Sequence, residues 1–219
     1  MLNTALVIVV AISVGYLLGS VPFGYLVCRV RGINPLTEGS GSTGATNVLR
    51  LAGKGPAFTV LLGDFTKGLV APTVAGWAVS TLSSSPPSEL ISSLVAVLAA
   101  AGALVGHVWS LWLGGRGGKA VATGVGTPLA LDWRVGLAVA LTWLITVKLS
   151  RISSLGALVA VPLAAVYMYL SQQFLVHSPA AQLWCYVLYC IVGAAYIVYK
   201  HQANIERLLA GTEPKVGDR

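Results

Sequence analysis

The sequence predicts an all-α, polytopic membrane protein with about seven transmembrane helices, its N-terminus outside and its C-terminus cytoplasmic, in a single domain over residues 1–219. Three observations carry that prediction. The chain is 56% hydrophobic and only 10% charged, far from the roughly 25% charge of soluble domains. Apolar runs of about 20 residues recur along it, the length a helix needs to cross a hydrocarbon core about 30 Å thick. Thirteen of the 14 Lys and Arg residues can be placed on one side of the membrane.

Seven apolar segments run over residues 4–28, 56–82, 90–111, 121–131, 135–147, 152–171 and 183–199. Each is expected to be helical, because lipid offers backbone polar groups no partner outside a helix or closed barrel, and nothing here alternates with period two. The first is not a cleaved signal peptide, since residues 1–4 carry no Lys or Arg and six more apolar segments follow. Its end, Gly19-Ser20-Val21-Pro22-Phe23-Gly24-Tyr25, joins small residues to a helix-kinking proline and suits close helix packing. The second holds Asp64 and Lys67 three residues apart. An unpaired charge at mid-bilayer costs roughly 2.5–3.5 kcal/mol, so these two are expected to pair or to line a cytoplasmic cavity. Gly106-His107 closes the third segment near the same face, after an outer turn at residues 83–87. The fourth and fifth are short for a span and are expected to tilt, break or pack against protein. Cys28, Cys185 and Cys190 lie in or at the ends of spans without metal-site spacing and read as small structural hydrophobes. His177 sits in an outer loop with no evident partner.

Arg29, Arg31, Arg50, Lys54, Arg116, Lys119, Lys148, Arg151, Lys200, Arg207, Lys215 and Arg219 share one side, with Lys67 near it; the other side has Arg134, Glu89 and Asp132. Positive-inside bias makes the basic side cytoplasmic, and an odd number of spans places the termini on opposite sides. A single re-entrant element in place of the fourth and fifth segments would overturn that orientation.

The chemistry is expected on the basic side. The loop Glu38-Gly39-Ser40-Gly41-Ser42-Thr43-Gly44-Ala45-Thr46-Asn47-Val48-Leu49-Arg50 matches G-x-G-x-x-G literally, but that fingerprint requires a preceding strand and a βαβ unit, and a membrane helix precedes it here. Its physics remains: glycines let backbone amides approach an anion, hydroxyls add donors, and Arg50 can grip a phosphate through two parallel bonds. The alternative is a flexible polar linker. Gly114-Gly115-Arg116-Gly117-Gly118-Lys119 resembles the end of a Walker loop, yet Leu113 and Ala120 stand where that motif needs Gly and Ser/Thr, so an ATPase is excluded. What is left is an anion-binding turn entering a helix N-terminus, or a basic membrane anchor. Ser153-Ser154 opens the sixth segment beside Arg151 as N-caps or as phosphate ligands. His201 and Asn204 leave the last span one helical turn apart, on one face. No His, Asp or Glu cluster has metal-ligand spacing, and the basin of cations and neutral donors suits a doubly negative substrate.

Together these stretches resemble the bacterial acyl-phosphate:glycerol-3-phosphate acyltransferase family, the PlsY type. The matching segments are the Gly19 to Tyr25 stretch, the loop over residues 39–50, Gly63-Asp64-Phe65-Thr66-Lys67-Gly68, Gly106-His107 with Gly117-Gly118-Lys119-Ala120-Val121-Ala122-Thr123, and residues 201–208 with Gly211-Thr212-Glu213. The resemblance implies a seven-span enzyme of the bacterial cytoplasmic (inner) membrane, its active site facing the cytoplasm. It implies transfer of a fatty acyl chain from acyl phosphate to the 1-hydroxyl of glycerol 3-phosphate, giving lysophosphatidic acid and phosphate at the start of phospholipid synthesis. No cofactor, metal, acyl-CoA, acyl carrier protein or nucleotide is implied. The partners are the two substrates and membrane lipid, with no nucleic acid; chain-length preference, oligomeric state and binding order stay open.

Carried over residue by residue, Ser40, Arg50, Lys119, His201 and Asn204 match the family's functional polar positions, with Gly41, Thr46, Asn47, Gly118, Ser153 and Ser154 as substrate-binding candidates. Ser42 stands where the family usually has Asn, and Ala120 where it usually has Gly, a change expected to be tolerated at a helix start. Acyl phosphate is a mixed anhydride with a good leaving group, so the protein's tasks are orienting two anions and stabilising the tetrahedral oxyanion. Arg50 and Lys119 would clamp phosphates, while Ser40 and the glycine-loop amides hold the donor or oxyanion. The hydroxyl proton goes to His201, oriented by Asn204, or to the donor's own phosphate. His-x4-Asp is absent, and His201 with Glu206 would lie on different helical faces. The acyl chain is expected to enter through a lateral opening shaped by residues 99–106 and 121–128. A small organic-phosphate or anion transporter is the alternative; it would explain the glycine loops and short spans, but not so poorly equipped an outer side.

Overall fold

The structure, a computed structural model, describes residues 4–83 and 86–217. The charge-free stretch at residues 1–3, Ser84 and Ser85 of the outer turn and the basic Arg219 lie outside the described residues. Among the described residues the fold is all-helical, in the order α1 (Thr4–Ser20), α2 (Phe23–Arg29), α3 (Ala45–Ala52), α4 (Lys54–Leu82), α5 (Glu89–Val108), α6 (Val121–Leu131), α7 (Trp133–Ser150), α8 (Ser153–Leu170), α9 (Ala180–Tyr199) and α10 (Gln202–Leu209). Among the described residues, five segments are long and apolar enough to cross a membrane: Thr4–Arg29, Glu89–Val108, Trp133–Ser150, Ser153–Leu175 and Ala180–Tyr199. α4 is 29 residues long but carries Asp64 and Lys67, and α6 is apolar but only 11 residues long.

Each apolar segment is a helix, with three adjustments. The first breaks at Val21-Pro22, where the proline lacks an N–H to continue the α1 ladder, and the carbonyl of Val21 accepts from Lys67 Nζ at 3.0 Å. The fifth is 18 residues long rather than short, because Asp132 caps it by accepting from the Arg134 N–H at 3.0 Å and because its polar ends, Arg134 and Lys148, also belong to the helix. α3 was hidden inside the glycine-rich loop.

Packing explains the small residues. A Cβ on Gly15 would lie 2.1 Å from the Ala99 carbonyl oxygen, and one on Gly19 2.3 Å from that of Ala103. The run at 99–106 is therefore the close interface of α5 with α1, not part of a lateral opening. Cys28 is buried against Val48, Ala57 and Val60, and Cys190 among Val139, Ala160 and Val187; all three cysteines are free thiols. At the end of α8 a π-helical turn (Ser171–Leu175) lets Ser171 Oγ and Gln172 Nε2 donate to Asp132 Oδ2 at 2.6 and 2.8 Å, closing the far end of α6, α7 and α8.

Candidate active site

The loop between α2 and α3 is organised by Asn47. Its Oδ1 accepts from the Ser40 N–H at 2.8 Å, and its Nδ2 lies 2.9–3.2 Å from the carbonyls of Ser42, Pro35 and Glu38. Gly39 and Gly41 at φ +62° and +66° supply the left-handed turns this wrapping requires. The amides of Gly41, Thr43 and Gly44 donate to Glu38 O, Gly117 O and Ser42 Oγ. The expectation that loop amides cradle an anion is thus corrected: Ser40, Gly41, Thr43 and Gly44 all spend their amides inside the protein. The loop offers side chains instead, the hydroxyls of Ser40, Ser42 and Thr46 and the exposed guanidinium of Arg50, all on one cavity.

That cavity, of about 420 Å³, is where the distant segments meet. Ser40, Thr46, Asn47, Arg50, Lys119, Ser153, Ser154, His201 and Asn204 all line it. Gly41 and Gly118 do not: Gly41 shapes the loop, and Gly118 is buried against the His107 ring, where a Cβ would lie 2.1 Å from Nε2. Of the two cations in the glycine turn, only Lys119 faces the cavity. Arg116 is exposed and donates to Leu36 O at 2.9 Å, clasping this turn to the first loop. Ala120 sits at φ +60° and ψ +20°, so the departure from glycine is a left-handed alanine, a conformation that costs roughly 1–2 kcal/mol, rather than an ordinary helix start.

At the polar end, Lys119 Nζ donates to Asn204 Oδ1. Asn204 Nδ2 donates to Glu213 Oε1 at 2.5 Å, as does Ser154 Oγ at 2.7 Å, and Arg207 Nε donates to Glu213 Oε2 at 2.7 Å. Glu213 was missed as a functional residue because it lies in a polar tail with no helical signal; its signal was that it follows Gly211-Thr212 within the resembling stretch. Burial raises the Glu213 carboxyl, but its three donors outweigh that and hold it below the usual range. Thr46 Oγ1 and Ser153 Oγ lie 3.0 Å apart, tying α3 to the start of α8. Burial, with Arg207 nearby, lowers Lys119 to about 8. His201 Nδ1 lies 2.7 Å from Ile197 O; a carbonyl only accepts, so Nδ1 holds the proton and Nε2 is the basic nitrogen. Burial lowers the His201 pKa, with Lys119 adding to the effect, and so favours the neutral ring.

The other end is apolar, walled by Phe58, Leu61, Leu62 and Phe65 of α4, Val121, Ala122 and Val125 of α6, and Ala140, Trp143 and Leu144 of α7. Phe58, Leu62 and Leu144 are more than half exposed on the protein surface, so the groove opens sideways between α4 and α7. Residues 121–128 contribute to this wall.

A helical fold with membrane-length segments thus joins a cationic recess to a lateral apolar groove, the kind of site an integral-membrane protein offers a molecule with an anionic head and an apolar chain. A family model described as glycerol-3-phosphate acyltransferase matches residues 9–211, and the chain belongs to that family. It is 46% identical over 209 residues to a glycerol-3-phosphate acyltransferase of Synechococcus sp. (strain CC9902), covering 95% of this chain and 94% of the relative. It is 39% identical to one of Thermosynechococcus vestitus, covering 99% and 98%. The crystal structure of PlsY (YgiH), an integral membrane glycerol 3-phosphate acyltransferase, in its glycerol 3-phosphate form matches at a TM-score of 0.79 and 31% identity over 96% of both chains. Its lysophosphatidic acid form matches at 0.76 and 31%, over 95% and 94%.

Proposed function

We propose that this chain transfers a fatty acyl group from acyl phosphate to the 1-hydroxyl of glycerol 3-phosphate, releasing lysophosphatidic acid and inorganic phosphate. The observation that carries the reading is one cavity with Lys119, Arg50, His201 and Asn204 at its polar end and α4, α6 and α7 side chains at its apolar end. The acyl chain lies in the groove and the reacting carbonyl at the junction. Arg50, Ser40 and the Thr46 and Ser153 hydroxyls take one phosphate; Lys119 takes the other, exchanging its bond to the neutral amide oxygen of Asn204 for one to an anion. The glycerol oxygen attacks the acyl carbon, its proton passes to His201 Nε2, and the bond from that carbon to the phosphate oxygen breaks as the tetrahedral intermediate collapses. Oriented donors at the oxyanion are worth about 2.7–4 kcal/mol each in such reactions.

In the membrane, the α1–α2 pair, α4, α5, α6, α7, α8 and α9 make seven passes, with the N-terminus outside and the cavity facing the cytoplasm of a bacterial inner membrane. The positive-inside distribution supports this topology, and cysteine accessibility from each side tests it. The chemistry is tested with purified protein given palmitoyl phosphate with and without glycerol 3-phosphate, and palmitoyl-CoA as rival donor. Phosphate release that requires both substrates, with lysophosphatidic acid formed and the CoA ester unused, is the expected result. Equal turnover of the CoA ester would refute the donor, and silence with both donors would refute the reaction.

A further inference from the structure

We infer that the buried Asp64–His107 pair is a positioning element for the reaction, setting the height of the turn that carries Lys119; the inference rests on Lys119 being the phosphate-binding cation. The glycine turn is seated on His107 twice. The Gly118 N–H donates to the His107 carbonyl at 3.1 Å, and Gly118 lies so close to the ring that a Cβ would meet Nε2 at 2.1 Å. The ring is held from below. Thr123 Oγ1 donates to the Asp64 carbonyl at 3.0 Å and so accepts from His107 Nδ1 at 3.2 Å, while Asp64 Oδ1 lies 3.5 Å from the same nitrogen. Asp64 is in turn fixed by Lys67 at 2.9 Å, and Lys67 by the Val21 carbonyl at 3.0 Å.

Asp64, Lys67, His107 and Thr123 are all buried, and they come from three helices and anchor to the α1–α2 break. A buried ionic group is weak evidence for stability, because apolar residues of similar size often serve as well. What an apolar floor would not supply is a fixed height for the ring. Asp64 and His107 also form part of the cavity wall, so a shift of the pair moves the turn and with it the lysine.

The test uses full-length protein with Asp64→Asn, His107→Gln and Gly118→Ala, beside Lys119→Ala. The readouts are KM for glycerol 3-phosphate, kcat, the alkaline limb of kcat/KM, and the melting temperature. Lys119 faces Arg50, Lys200, His201, Arg207 and Glu213, and none of these is altered. Asp64→Asn and His107→Gln are expected to raise KM by about tenfold to a hundredfold, the cost of an ångström-scale misplacement. The alkaline limb should move up as the lysine is released toward water, with the melt little changed. Gly118→Ala, pushing from the other side, should act in the same direction. Folded Asp64→Asn and His107→Gln proteins with wild-type KM and limb would overturn the inference. So would failure of both to fold, which would make the pair a stability element. If instead Lys119→Ala keeps the wild-type KM, it is the phosphate role of Lys119 that fails.

Discussion

Lys119 should give the enzyme an alkaline limit near its own ionisation. Burial and the neighbouring Arg207 bring it to about 8, so it is about 90% charged at pH 7 and about 10% at pH 9. Glycerol 3-phosphate does not titrate in that window, because the second ionisation of a phosphate monoester lies near 6. The value of kcat/KM for glycerol 3-phosphate should therefore fall by about tenfold between pH 7 and 9. The stability change runs the other way. From about 8 to the ordinary lysine value of 10.5, the unfolded chain binds more protons than the folded one at this site, so unfolding free energy rises with pH. A melt followed beside the rate thus separates titration from unfolding. Lys119→Arg keeps its charge across the range and should lose the limb, whatever its residual rate. A flat wild-type profile, or an unchanged limb in Lys119→Arg, would refute the reasoning.

His201→Gln should lower kcat by about 10²–10⁴-fold, the usual worth of a positioned general base, with KM for glycerol 3-phosphate little changed; single-turnover rates check this. Glu213→Gln removes the hub of Ser154, Asn204 and Arg207, and should cost about 1.5–3 kcal/mol, the worth of hydrogen bonds to a charged group, read as a lower melting temperature. Because the folded Glu213 is held below its ordinary 4.5, its stabilisation is present above that pH and is lost as pH falls through the folded value; an acid melt series should show wild type and variant converging. Arg116→Ala frees the first loop from the glycine turn and should lower kcat/KM by about 2–10-fold, the worth of roughly one exposed hydrogen bond, without moving the alkaline limb.

Helices were readable wherever hydropathy alone decides, which is why every apolar segment reappears in the fold. Their ends were less so, because end residues such as Arg134 and Lys148 belong to helices yet carry charge. The polar positions Ser40, Arg50, Lys119, His201 and Asn204 were legible as residue types on one face. Their division of labour was not, because it depends on partners far away in sequence. Asn47 reads as a ligand until three carbonyls are found around its amide, and Arg116 reads as Lys119's twin until Leu36 is found beneath it. Small residues mislead in the same way: those at 99–106 could have bordered a portal or a neighbouring helix, and only the backbone contact of Gly15 with Ala99, too close to admit a Cβ, decides.

The shortness of α6 bears on a side reaction. Its 11 residues rise about 16 Å, whereas α8 rises about 27 Å. The two helices are tied together at Asp132 and Ser171. For axes running alike, the first residue of α6 then stops about 10 Å short of the level of Ser153, and the Lys119 ammonium is linked to the start of α8 through Asn204, Glu213 and Ser154. On the proposed reaction, the donor lies against an apolar wall that includes Phe65 and Val121, whose side chains cannot hold water by hydrogen bonds. The competing fate of such a donor is hydrolysis, and the ratio of ester made to anhydride lost becomes a measure of how well that wall keeps water from it.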